Sequence, residues 1–255
     1  MAAHGHSPMA QFEVYPIIPI HVGGLDLSFT NASLWMVLAV VSASLVLVLG
    51  VKRDGIVPGR LQSMVELIYS FIERNTVLSV MGEEGKRFFP MIFTLFIFIF
   101  FTNFFGLIPY SFTVTSHIIV TFAMALSVFA LVLVVGFWTH GLHFFSLFVP
   151  SGAPAWIMPV IVPIEIISFL SRPISLSVRL AANMLAGHTM LKVFAGFIVT
   201  MLGAGGVLAV LSIAPLIAGV LVTALEVLVA AIQAWVFALL TCIYLNEAVH
   251  LHDHH

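Results

Sequence analysis

The sequence predicts an all-α polytopic membrane protein, and three features carry that expectation. Of 255 residues, 61% are hydrophobic and only 8% are charged, whereas a water-soluble domain carries about 25% charged residues. Several apolar runs reach the ~20 residues that cross a ~30 Å hydrocarbon core. None of these runs alternates apolar and polar residues as the strands of a transmembrane β-barrel do. A formal net charge of −2 gives no basic footprint for nucleic acid. The single cysteine, Cys242, excludes a disulfide framework and a cysteine-based metal site. No nucleophile–base triad, phosphate-cradling glycine loop or zinc motif is visible, so no cofactor and no nucleotide chemistry are expected in this chain.

Residues 1–33 are mixed in character and rich in Pro and Gly, and read as an extramembrane lead-in. They carry no Lys or Arg before the first apolar run, which therefore does not resemble a cleaved signal peptide. Residues 34–51 form the first span. Pro58 fits the first turn of the next helix, where its missing N–H costs little. Leu61, Met64, Val65, Ile68, Phe71 and Ile72 then follow the 3.6-residue period of one helical face, and Gln62, Ser63, Glu66, Ser70, Glu73 and Arg74 take the other. This amphipathic helix, about 58–80, is expected to lie in the membrane interface rather than across it. Gly82–Arg87 is a polar break. Residues 88–109 form a Phe-rich span ending at Pro109, and 116–138 form the next, with Trp138 as an interfacial anchor. Gly141, Pro150, Gly152 and Pro154 make 139–156 a loop. Two long stretches follow, 156–202 and 207–249, separated by Gly203, Gly205 and Gly206. Residues 34–250 thus read as one integral membrane domain. The tail His250 to His255 offers an adventitious metal site, but reads better as a flexible tail.

Six of the nine basic residues, Lys52, Arg53, Arg60, Arg74, Lys86 and Arg87, lie between the first and third helical segments. The positive-inside rule places that connection in the cytoplasm, with the N-terminus outside and, counting spans, the C-terminus inside. The stretch 156–202 has 47 residues, roughly 70 Å as one helix. A break near Ser171–Pro173 would leave a first piece of about 15 residues, short of the ~17 a span needs. A strongly tilted, kinked helix is therefore expected here. The same expectation for 207–249 makes the pair a slanted hairpin.

Charged residues inside apolar helices are costly and mark function by default. Glu165, Ser168, Arg172, Ser175 and Arg179 are spaced at three, four, three and four residues, which sets them in one stripe on one helix face. Asn183 falls nearly on that stripe, and His188 points to roughly the opposite side. Glu226 and Gln233, seven apart, share a face of the last helix. Each has a structural alternative. Ser168 and Ser175 are expected to bond back to the helix backbone beside Pro173. Arg172 can snorkel to an interface. Glu165, Glu226 and Arg179 can pair with one another, His188 can be a packing histidine, and Lys192 reads as an interfacial anchor. Asn103, inside a span, has the look of a hydrogen-bonding partner for a neighbouring helix. The chemistry available is proton relay. Glu and His give and take protons near neutral pH, whereas Arg stays charged and can act as a fixed electrostatic gate.

SRPISLSVRLAANMLAGH (171–188), GEEGKRFFPMIFTLFIFIFFTNFFGLIPY (82–110) and the C-terminal stretch with Glu226, Gln233 and IYLNEAVH (243–250) closely resemble the signatures of subunit a of the F-type ATP synthase. The resemblance covers about 34–250 and is similar in flavour to alphaproteobacterial and mitochondrial members. It implies one upright span, an interfacial helix, a transmembrane hairpin and two long inclined helices against a ring of c subunits. It further implies a proton-translocating stator subunit, not catalytic by itself, partnered by the c-ring and b-type peripheral stalk subunits. By the same resemblance Arg179 separates two half-channels. His188 and Glu226, with Asn183 and Gln233, line the inlet, and Glu165 lines the exit. Arg172 matches more loosely and takes no catalytic role. Glu165 and His188 lie about 21 Å and 14 Å along the helix on opposite sides of Arg179, a spacing that suits separate inlet and exit groups. The competing readings are a secondary transporter, which predicts an internal repeat that is not seen, a structural scaffold, and a sodium-translocating version of the same subunit. A bacterial plasma membrane is favoured over a mitochondrial one.

Overall fold

The computed structural model of the chain describes residues 13–22, 25–26, 28–51, 59–108, 111–149 and 156–250. The expectations for Lys52, Arg53, Pro58, Pro109, Pro150, Gly152, Pro154 and the tail 251–255 lie outside the described residues. Among the described residues, five stretches of helix are long and apolar enough to cross a membrane: Asn31–Gly50, Phe89–Gly106, Ile118–His140, Met158–Ala204 and Gly206–Val249.

The lead-in carries short strands that the sequence reading did not foresee. β1 (Pro16–Ile18) pairs antiparallel with β4 (Phe29–Thr30), and β2 (His21–Val22) with β3 (Leu25–Asp26). Strands of two or three residues leave no alternation to read. Thr30 Oγ1 accepts the Ser33 N–H at 3.3 Å. This cap starts α1 (Asn31–Gly50) ahead of the expected residue 34. α2 (Arg60–Ile72) is the amphipathic helix. It buries Val65 and Ile72 and leaves Leu61, Met64 and Phe71 exposed, as suits a helix lying in an interface. It runs on through a π-helical segment, Glu73–Leu78, and α3 (Ser79–Met81). Gly82, at φ 61°, takes a positive-φ conformation that a glycine adopts freely. The polar break Gly82–Arg87 is a 3₁₀ helix.

α4 (Phe89–Gly106) and α5 (Ile118–His140) follow, joined through a 3₁₀ turn at Val114–Ser116. Residues Gly141–Phe148, expected as loop, form a further 3₁₀ helix. Its Phe144 is buried, with its ring centre 5.0 Å from that of Phe137 and 6.4 Å from that of Phe169. Gly136 has no side chain there; a Cβ would collide with the Phe144 ring. Aromatic burial, not local propensity, orders this segment.

α6 (Met158–Ala204) is one helix of 47 residues that takes Pro163 and Pro173 inside it. The alternative of a break near Ser171–Pro173 is not realised. The last stretch is kinked as expected, with α7 (Gly206–Leu211) and α8 (Ile213–Val249) parted only at Ser212. Pro215 explains the interruption. It has no N–H for the carbonyl of Leu211; beside the interruption Ser212 Oγ donates to the Ala209 carbonyl at 2.6 Å.

Packing divides the chain into two compact units. One takes in the lead-in through Leu45, Phe98–His117 and Leu180–Ala234. Its core holds Leu180, Ala181, Met184, Ala230 and Ala234, all buried. The other takes in Val46–Ile97, Ile118–Arg179 and the chain from Trp235 onward. Ile72, Val77, Ile92, Phe144, Phe169, Phe237 and Leu245 are buried in it. There Trp235 Nε1 donates to the buried Thr76 Oγ1 at 3.0 Å, tying α8 to the π-helical segment.

Candidate functional site

The unit holding the second half of α6 gathers a cluster of polar side chains. Thr113 Oγ1 and His188 Nε2 are hydrogen-bonded at 3.1 Å. The same hydroxyl lies 3.4 Å from the Gly106 carbonyl. Gly106 permits this approach, since a Cβ there would meet Thr113 Cγ2 at 2.8 Å. Glu226, on α8, is buried and its carboxylate packs on Gly187, where a Cβ would overlap Oε1. The hairpin therefore sets Glu226 against the residue next to His188. One turn further toward the start of α6, Asn183 Nδ2 donates to Gln233 Oε1 at 3.1 Å. Asn103 Nδ2 donates to the carbonyl of Ala230 at 3.2 Å, between Glu226 and Gln233 on α8. This is the helix-to-helix bond expected of Asn103.

Glu226 Oε2, Gln233 Nε2 and Asn103 Oδ1 are buried with no hydrogen-bond partner among the described residues. Such atoms are rare in folded proteins. Here three of them belong to side chains joined to one short stretch of α8. Groups that give and accept protons and hydrogen bonds, held with spare capacity, suit proton transfer better than support.

The other unit holds the first half of α6. Arg172 Nη1 donates to Glu247 Oε2 of α8. Its guanidinium also lies 5.3 Å from the centre of the Phe169 ring and 5.0 Å from that of Tyr244, within cation–π range. Arg172 is therefore a paired residue rather than a snorkelling one. Ser168 and Ser175 do not bond back to the helix. They are exposed, and the back-bonding is done by Ser171, to the Ser168 carbonyl at 2.7 Å, and Ser177, to that of Ile174 at 3.0 Å. Glu165 is half-buried. Arg179 is exposed. Neither makes a hydrogen bond or ion pair among the described residues. Lys192 lines a cavity with His188. Among the described residues no three His, Cys, Asp or Glu side chains are grouped to hold a metal.

The ATP synthase A chain family model matches residues 32–246, which take in Arg179 and the whole cluster around His188. The chain belongs to the ATP synthase A chain family. Its relatives share more than this family's motifs. The protein named ATP synthase subunit a from Parvibaculum lavamentivorans is 57% identical over 95% of this chain and 93% of its own length. The one from Mesorhizobium japonicum is 54% identical over 98% and 99%, and the one from Agrobacterium fabrum 56% over 96% and 98%. For an ATP synthase A chain, the sequence reading finds the charged and amide side chains but passes over Thr113, Gly106, Gly187 and Glu247. Thr113 falls outside a span and Gly187 offers no chemistry. Glu247 stands within IYLNEAVH, fourteen residues past Gln233 and on the same seven-residue spacing, and that spacing is the signal that could have found it.

Proposed function

We propose that this chain is the proton-translocating stator subunit of an F-type ATP synthase, coupling proton flow to rotation of a c-subunit ring and so to ATP synthesis. It is a membrane component of the complex and not catalytic by itself. Protons enter from the outer side and pass the cluster of Glu226, His188, Asn183 and Gln233. They load a carboxylate on a c subunit, ride the ring, and leave to the inner side past Glu165. Arg179 stands between the two paths. Its permanent charge keeps each passing carboxylate ionised and repels a proton that would cross directly, and both effects grow in a low-dielectric site. The partners are the c-ring and b-type stalk subunits. The setting is a bacterial inner membrane, with the N-terminus outside and the C-terminus cytoplasmic, an orientation supported by the basic residues between the first and third segments.

The observation that carries the reading is Arg179, an exposed arginine on a helix apolar enough to span a membrane, with no counter-ion among the described residues of its own chain. A partner must supply one, and a rotor carboxylate has the required charge. Arg179→Ala is expected to abolish proton-driven ATP synthesis and to let protons leak passively. Arg179→Lys is expected to fail as well, because a desolvated lysine can lose its proton and the planar fork is lost. Coupled synthesis at the normal rate in either variant, measured in inverted vesicles, overturns the assignment.

A further inference from the structure

A cavity of about 710 Å³ lies in the unit that holds His188, and its wall is partly built by the lead-in. Glu13, Tyr15, Asn31, Trp35, His188 and Lys192 face it. Residues 13–31 precede the part of the chain that the family model matches. Yet they are fastened with care. Asn31 is only 4% exposed, and both ends of its amide are bonded. Oδ1 accepts the N–H groups of Tyr15 at 3.3 Å and Ala32 at 2.9 Å, and Nδ2 donates to the Glu13 carbonyl at 3.1 Å. The Asn31 N–H donates to the Tyr15 carbonyl at 3.2 Å. Asn31 thus clamps residues 13–15 to the first turn of α1, on the cavity wall.

We infer that this clamped segment is the outer wall of the inlet vestibule and that Glu13 is its proton-collecting carboxylate. The inference rests on the proposed inlet role of His188. The charged or titratable groups lining the cavity are Glu13 and Tyr15 on the lead-in and His188 and Lys192 on α6; α1 and the end of α4 contribute none. Lys192, one turn beyond His188, repels an arriving proton. Glu13 offsets that charge and supplies an exchangeable site at the wall. A charged cleft with low-dielectric walls raises the local concentration of the ion it attracts. The gain is greatest when outer protons are scarce.

The test uses the assembled synthase with Cys242→Ser. Glu13→Cys is labelled in spheroplasts with a bulky, membrane-impermeant thiol reagent, and ATP-driven proton pumping is then read in inverted vesicles. Labelling is expected to cut pumping severalfold by filling the path to His188. Ile17→Cys, exposed on β1 and outside the cavity lining, is expected to label without effect. In parallel, Glu13→Gln is expected to lose synthesis rate more steeply than the parent as outer pH rises, with Glu13→Asp restoring the parent profile. A Glu13→Cys variant that resists outside labelling, or labels without loss of pumping, overturns the vestibule wall. An unchanged pH profile in Glu13→Gln overturns the carboxylate's role. If Arg179→Ala pumps normally, the functional reading itself fails. If Arg179 is essential and Glu13 silent, only this inference does.

Discussion

Arg172 and Arg179 lie two turns apart on α6, in the same compact unit, and their surroundings differ in kind. Arg172 is held between two aromatic rings and paired with Glu247. Arg179 is exposed, with no hydrogen bond or ion pair among the described residues. An arginine kept for architecture finds its counter-ion within the chain. One kept for a moving partner must leave that place open, because a resident carboxylate would compete with each visiting one. The cluster around His188 follows a third rule. Its members can all be neutral, and they are tied across helices by Asn183–Gln233, Thr113–His188 and Asn103–Ala230. On the proposed function, fixed charge would separate the two proton paths and neutral groups with spare hydrogen-bonding capacity would conduct along them.

After Arg179 itself, the largest effect is expected within the inlet cluster. Glu226→Ala or His188→Ala should leave little ATP-driven pumping, since each removes a proton-carrying group and strands its neighbours. Exchanging the two, His188→Glu with Glu226→His, should retain more activity than either alanine variant, because both kinds of group remain on the path. Pumping by the exchange variant no better than by the single variants would break the argument that they act together.

Gly187→Ala comes next. The added Cβ overlaps Glu226 Oε1, and overpacking of this kind costs about 1–3 kcal/mol. Activity should fall severalfold while the complex still assembles, as measured by pumping against the amount of subunit in purified synthase. Unaltered pumping would mean that the carboxylate has other room to work in.

Arg172 and Glu247 sharpen the contrast between the two arginines. Removing either member should destabilise the subunit by about 1–3 kcal/mol through loss of a charged hydrogen bond, lowering its level in membranes. The double variant Arg172→Ala with Glu247→Ala should cost less than the sum of the singles. Neither change should open a passive proton leak. A leak equal to that of Arg179→Ala would erase the distinction.

The smallest effect is expected at Glu165. Glu165→Gln should slow transport without leak, since the arginine barrier remains. Glu165→Cys, with Cys242→Ser, should react with an impermeant thiol reagent from the cytoplasmic side. Labelling from the outside alone would reverse both the orientation and the exit role.

Apolar runs give the helices away within a few residues, because a span must be continuous to satisfy its backbone in lipid. The same continuity hides Pro215, whose effect falls inside an unbroken apolar stretch where glycines look like the natural boundary. The 3₁₀ segment around Phe144 is illegible for another reason: what orders it is the empty face of Gly136 and the Phe169 ring, neither of which a local pattern can reveal. At the site, ionisable side chains announce themselves by their cost in a membrane. Thr113 and Gly187 do not, since a threonine in a connection and a glycine in a helix are ordinary. Only the fold reveals that one holds His188 and the other makes room for Glu226.

The openness of Arg179 also has a consequence for biogenesis. Before any rotor is present, its guanidinium faces hydrocarbon or draws water into the bilayer, at about 2.5–3.5 kcal/mol on insertion scales. A subunit that reaches the membrane alone therefore carries a built-in defect that only assembly repairs. Order of arrival then matters: a chain joining a ready ring is quenched at once, and an orphaned one stays exposed to the cell's surveillance. In its proposed role, the group that stops protons from leaking through the finished machine would thus also mark the unfinished one.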